Sequence, residues 1–523
     1  DDGGILATVA GLPGAPSVDF RIQGEGPLSE FTADITLATD GTERLAGQII
    51  SRELEDAHRV TADISGDIAP VFAPQFRDFF GNDLSLMAET LLYPDGRVVL
   101  PEFSLFAREL ALFGKVEIGA DRLPQIIDVT GRIAPESGES VLLPFAGEAT
   151  RVARANLAVQ YNAAQSEDWR TVIRLQGLES EELLVEEVAL RATGRLSGGA
   201  APAVSGEFEL DMSGLETTNG LSEALGPEIA GSARIDWSGG PVTIDQLDLR
   251  ALDLSVNGSA RLEGSTITSD ARVVASRIAN FSTIAGRDLS GAASLDVSGQ
   301  INPLTQAFDL IANGETVDLA ISDPRADAVL AGRVTLEAEA VRDTDGLRID
   351  LTKLESDAAN LTGQASLRSG GSTATLNGRL QDTSIALPGL DGPSDITFSG
   401  QESDTRDWTI ATTLSAPALT ADLKGLLSNI YDLPAFQGTL DAESPDLSAF
   451  SELAGRALSG RLAIRAEGGL NADLTRALVD ATLRGRDISV EGLGVDRLLS
   501  GPITLEVEGG RTDDRIDIAN LSF

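Results

Sequence analysis

Apolar and polar residues alternate along most of this chain. Val334, Leu336, Ala338 and Ala340 fall on one side of an extended segment, and Glu337 and Glu339 fall on the other. A period of two marks a half-buried strand. After the turn Asp343-Thr344-Asp345-Gly346 the pattern returns at Leu347, Ile349 and Leu351. Comparable runs occupy 18–23, 31–37, 88–92, 98–100, 110–118, 129–133, 155–159, 171–175 and 185–191. Further on they include Val242 with Ile244, Leu247 with Leu249, and Leu252, Leu254 and Val256, then 408–414, 419–423, Ile464, and Ile503 with Leu505. Turn signals, mostly glycine, interrupt the runs about every ten residues, and no long crossover helix separates them. Loops are expected at 197–202 and 368–372. The expected connection is therefore an antiparallel meander. So long a sheet should not stay open and flat. The predicted fold is mostly β: a long, curled, groove-like antiparallel sheet (a β-taco) running as one continuous elongated segment over 1–523 and punctuated by short amphipathic helices. Leu247, Leu249, Leu252, Leu254, Val256, Val334, Leu336, Ala338, Ile349, Leu351, Ile464, Ile503 and Leu505 would line its groove.

The punctuation is itself repetitive. In 446–469, apolar residues stand at helical spacing (Leu447, Phe450, Leu453, Leu458), then alternate at Leu462, Ile464 and Ala466. Asp446 is placed to cap the helix. The same unit recurs from Phe281 and from Leu221, with a weaker copy from Phe76. Internal repetition of this kind signals an array. Helical segments are expected near 71–86, 216–229, 277–290 and 446–459, and also over 46–58 and 423–431. The repeat starts are unevenly spaced, so these units read as insertions into a continuous sheet, with Phe281, Phe450, Leu453 and Leu458 forming helical plugs on or in the groove.

Composition narrows the ligand chemistry. Hydrophobic residues make up 42% of the chain but aromatic ones only 4%, so an apolar wall would be aliphatic and would suit acyl chains better than sugars or bases. A formal net charge of -41 opposes binding to nucleic acid phosphates or to an anionic lipid surface. There is no cysteine, which excludes disulfides and thiolate metal sites. No apolar run reaches the ~18–20 residues of a bilayer span. The chain begins Asp1-Asp2-Gly3 and stops at Leu521-Ser522-Phe523 within an alternating pattern, which predicts an internal segment of a longer protein.

Catalytic signatures are not evident. His58 is the single histidine. Asp343-Thr344-Asp345-Gly346 has its glycine too early for a calcium loop and Leu347 at an acidic ligand's place. Gly24-Glu25-Gly26 lacks the third glycine of a dinucleotide fingerprint. Acidic pairs such as Glu181-Glu182 read as solvated loops, and Asn257-Gly258-Ser259 and Asn360-Leu361-Thr362 are short matches to a glycosylation pattern. No enzyme activity, cofactor or metal is expected.

Val9-Ala10-Gly11-Leu12-Pro13-Gly14-Ala15-Pro16, Gly24-Glu25-Gly26-Pro27-Leu28-Ser29-Glu30-Phe31 and the unit from Ser444-Pro445-Asp446-Leu447-Ser448 to Leu458-Ser459-Gly460 resemble the TamB family of translocation and assembly module subunits, within the AsmA-like superfamily. The resemblance covers the chain as a central segment and rests on loose Gly, Leu and Ser spacing. It implies a protein of the Gram-negative envelope, anchored in the inner membrane by an N-terminal helix outside this segment and spanning the periplasm. A C-terminal part, also outside it, would engage an Omp85-type outer-membrane barrel (TamA-like). The implied roles are moving phospholipid between the membranes, and assisting outer-membrane protein assembly and autotransporter secretion. Roughly 40 strands at ~4.8 Å would extend ~150–200 Å, the scale of such a bridge. The alternative is a strand-binding chaperone or scaffold without lipid transport; a closed structural solenoid is a third reading.

Overall fold

The alternation does produce strands. The computed structural model describes residues 17–27, 29–135, 138–144, 149–198, 202–369, 371–430, 433–492, 498–513 and 515–523. Of the chain, 66% is strand and 8% helical, and the described strands number 31. Contacts divide the chain into two units, Asp1–Gly264 and Ser265–Phe523. The first runs from the strand Val18–Glu25 to Leu254–Glu263, and the second from Thr266–Ala275 to Arg515–Ser522. Every described pairing is antiparallel, and within each unit each long strand pairs with its chain neighbours. In neither unit do the first and last strands pair with each other, so neither sheet closes into a barrel.

Each predicted helical window contains a helical segment shorter than the window. These are Ala69–Val71, Pro74–Phe76 and Arg77–Phe80; Leu221–Leu225; Ile278–Phe281 with Ser282–Ala285; and Leu447–Phe450 with Ser451–Ala454. Two predicted helices are strands instead. The 46–58 stretch is divided between Thr42–Glu53 and a strand starting at His58, and the 423–431 stretch falls largely in Leu419–Ser428, with Tyr431 outside the described residues. Leu45 and Ile49 satisfy a helical spacing, but Leu45, Gly47, Ile49 and Ser51 satisfy a strand spacing as well. Short apolar runs are ambiguous locally. Cross-strand pairing of Ile49 with both Ala33 and Ala62 decides the matter.

Two helical segments were not expected, Pro324–Leu330 and Thr383–Ile385. Both had a readable signal. Asp323 precedes Pro324, and its carboxylate accepts the backbone N–H groups of Arg325 and Ala326 at 3.0 Å each. Asp382 accepts from the N–H of Ser384 at 3.0 Å. An Asp cap is a helix-start signature, reinforced at Asp323 by Pro324 in the first helical position.

The placement of the helical segments follows a simple rule. In an antiparallel meander, successive connections alternate between the two ends of the sheet. In the second unit the segments follow the strands Thr266–Ala275, Ala307–Ala320, Thr373–Leu380 and Ala435–Ser444. These are all odd-numbered strands of that unit, so all the insertions lie at one end. In the first unit, helices follow His58–Gly66 and Ala203–Thr217, which again share one end. Each sheet therefore has a helical rim and an opposite turn rim.

Asp323, Asp382 and Asp446 cap segments on the helical rim. Hydrogen bonds from backbone N–H groups hold each carboxyl below the usual carboxylate range. A carboxyl with a lowered folded pKa contributes stability above its unfolded value of ~3.9, and the contribution is lost as pH falls through the folded value. Amides of these segments should thus exchange faster as pH falls below about 4, after correction for intrinsic exchange. A triple Asp→Asn variant keeps the caps and should flatten that pH dependence.

Candidate functional site

Residues opposite one another in a sheet share a face, so register shows how far the apolar face extends. In the first unit, Ile22 pairs with Ile35, and the chain of partners continues through Gly47, Ile64, Leu86, Leu105, Leu112, Gly131, Leu157, Ile173, Leu190, Leu210, Gly231, Leu249 and Val256. Every long strand of the unit contributes one aliphatic residue or a glycine.

The second unit repeats the arrangement. Leu336 belongs to a row that begins at Val273, Leu295 and Gly314 and passes on through Leu354, Leu361, Gly378, Ile396, Leu414, Ala421, Ala442, Ile464, Leu483 and Leu505. Ala338 and Leu351 belong to the adjacent row, in which Thr412 is the only polar member from Ala271 to Leu521.

The thirteen groove candidates can now be placed. Leu247, Leu249, Leu254 and Val256 share the apolar face of the first unit. Val334, Leu336, Ala338, Ile349, Leu351, Ile464, Ile503 and Leu505 share that of the second. Leu252 sits in the turn between two strands, 58% exposed, outside the row. Val334 is 2% exposed, Ile349 is 37% exposed, and the other ten are half-buried. A solvated sheet would expose them and a sealed core would bury them, so this face is partly sheltered.

Shelter is graded along the strands. The largest fully buried side chains, Leu390, Val152, Val185, Val334, Thr383 and Ser394, all lie at the helical rim. At the turn rim the same face carries exposed Leu92 and Trp237 in the first unit, and Ile301, Leu367 and Leu470 in the second. Charged side chains that share the apolar face, such as Arg342, Glu402 and Arg511, stand at the turn rim too. The face thus runs from dry and aliphatic at one rim to wet and polar at the other.

The proposed plugs prove to belong to the helical rim. Phe281 and Phe450 end short 3-10 turns and are half-buried, while Leu453 is 66% exposed. Leu458 is not helical but opens the strand Leu458–Asn471. The two copies use the same devices, offset by 169 residues. Ser282 Oγ accepts the N–H of Leu289 at 3.0 Å, and Ser451 Oγ accepts that of Leu458 at 3.0 Å. Gly291 and Gly460 both form bulges, with φ of 100° and 98°. Asp318 and Asp487 both accept an N–H, from Gly332 and Gly501 respectively. The repeat therefore encodes a bulged, hemmed strand end.

Glycines in the rows make room for aromatic rings. Gly194 and Gly206 face each other beside Trp169. A Cβ on Gly194 would lie 2.0 Å from the Ser205 carbonyl oxygen and 2.6 Å from the Trp169 ring. Gly194→Ala should cost the first unit about 1–3 kcal/mol, read as a lowered urea midpoint.

Among the described residues no catalytic constellation emerges. His58 Nε2 and Ser51 Oγ are hydrogen-bonded, joining neighbouring strands, and among the described residues no carboxylate accepts a hydrogen bond from His58. Asp343-Thr344-Asp345-Gly346 is a hairpin turn, in which Asp343 accepts from the N–H of Asp345 at 2.8 Å. Among the described residues no cluster of His, Cys, Asp or Glu could hold a metal ion, and no helix is long and apolar enough to cross a membrane. Comparison with protein-family profiles, curated proteins and solved structures returns no match for the chain.

Proposed function

We propose that the apolar face of each unit carries the acyl chains of phospholipid, as part of a conduit between the inner and outer membranes of a Gram-negative envelope. The observation that carries this reading is the unbroken row of aliphatic residues and glycines, which crosses fifteen strands in the first unit and fourteen in the second and is mostly half-sheltered. An aliphatic wall without stacking platforms favours methylene chains, each buried CH₂ contributing about 0.8 kcal/mol. The rim gradient supports an orientation, with tails toward the helical rim and headgroups at the turn rim near residues such as Arg342 and Arg511. The envelope setting, the inner-membrane anchor and an Omp85-type barrel partner come from the TamB-like resemblance. Its opening motif at 9–16 lies outside the described residues.

Native mass spectrometry of the gently purified chain tests the reading. Co-purified phospholipid is expected, and diacyl lipids should compete for it. A chain that neither retains nor takes up phospholipid overturns the proposal. Crosslinks from strand edges to nascent outer-membrane proteins, without lipid, would favour the strand-binding chaperone.

A further inference from the structure

The outward face of the first unit carries a patch at odds with the rest of the chain. Two adjacent register rows cross it. One joins Phe106, Ala111, Arg132, Asn156 and Arg174, and the other joins Met87, Ser104, Phe113, Thr130, Ala158 and Val172. From Met87 to Arg174 neither stretch contains an acidic residue, although acids outnumber Lys and Arg by 81 to 40 in the chain; Asp63, the cross-strand partner of Met87, borders the patch on one side. Met87, Phe106 and Phe113 are 49%, 43% and 46% exposed on this outward face. Arg132 and Arg174 are exposed, and neither has an ion-pair partner among the described residues. Next to the patch on this face other arginines are paired, Arg191 with Asp211 and Arg195 with Asp168, while Arg154 and Arg170, on the strands of Asn156 and Arg174, have no ion pair among the described residues. Phe106, Phe113, Val172 and the two arginines border a shallow depression of about 420 Å³.

Exposed aromatics, methionine and unpaired arginine, with acids depleted, are the composition of a protein-binding surface. Covering the phenylalanines removes apolar area from water, and the arginines favour carboxylates placed beside it. Two rows over six strands span roughly 25 Å, the length of a short extended segment. We propose that this face docks an acidic segment of a partner protein, one in which Asp or Glu alternates with aromatic or aliphatic residues. The partner would bind on the face opposite the apolar rows, so docking and acyl-chain binding are separable.

The test uses the full chain and a displayed library of random dodecapeptides. Selected peptides should be rich in Asp or Glu and in Phe, Trp or Leu. A synthetic copy of one should bind in fluorescence polarisation. Arg132→Glu with Arg174→Glu, and separately Phe113→Ser, should each weaken it about tenfold or more without moving the melting temperature. Replacing the peptide's acids by Lys should abolish binding. The proposal is overturned if selection yields no peptide sensitive to these variants, or yields basic ones. It is equally overturned if the variants instead abolish binding to phosphatidylglycerol vesicles or self-association in sedimentation, which would make the occupant a membrane or a second copy.

Discussion

Leu336→Asp combined with Ala338→Asp should cut phospholipid retention by the second unit about tenfold or more. The two positions lie in adjacent apolar rows, mid-face, with Gly314 and Leu354 beside Leu336, and Ala312 and Leu351 beside Ala338. A carboxylate there stays hydrated only if water remains where an acyl chain would lie. Burying it unpaired costs several kcal/mol, enough for a tenfold loss at ~1.4 kcal/mol per decade. Both native side chains are half-buried, so the fold should tolerate the change far better than the ligand does. Glu337→Gln with Glu339→Gln alters the opposite face of the same strand and should leave retention unchanged. Native mass spectrometry reads the lipid, and circular dichroism confirms the fold. Retention equal to that of the unaltered chain would remove the apolar rows from the site.

The second large effect concerns the helical rim of the first unit. Phe79 is 4% exposed and packs with Val141, Leu143 and Val152. Phe80 meets it edge-on at 5.1 Å and stacks on Phe72 at 3.8 Å. Here the helical segment seals a true core against the sheet. Phe79→Ala should cost about 3–5 kcal/mol, because the cavity it leaves is fixed by strands on one side and ring stacking on the other. Hydrogen exchange should show lost protection in 69–80, 141–144 and 149–152 well before the strands near Leu249 respond. Uniform loss across the unit would mean that the rim and sheet unfold as one body.

Much of the fold was legible in advance. Alternation identified the strands, and the absence of crossover segments identified the antiparallel connection. The repeated unit located four helical insertions. Glycine patterning carries a further signal: Gly194 and Gly206 beside Trp169, and Gly425 and Gly438 beside Phe436, are cross-strand pairs covered by a ring. The errors were local. Leu45 and Ile49 fit two periods at once, and only the neighbouring strands could choose between them. Leu458 continued a helical spacing but paired with Val490 as a strand.

By itself the sequence determined that each strand has an aliphatic side and a polar side, since side-chain direction alternates residue by residue whatever the tertiary arrangement. It also determined that the wall is aliphatic, because only 4% of the chain is aromatic. What it left open, and only pairing register decided, is that these sides join without a break from Ile22 to Val256 and from Val273 to Leu505. A shift of one residue in any strand would have turned its apolar side outward. The rim asymmetry likewise depends on tertiary structure. The insertions at Phe281 and Phe450 look alike in sequence, but whether they share an end of the sheet depends on counting the strands between them. The acid-free patch at Phe106 and Arg132 was invisible for the same reason: its members are scattered from Met87 to Arg174, and register alone brings them together.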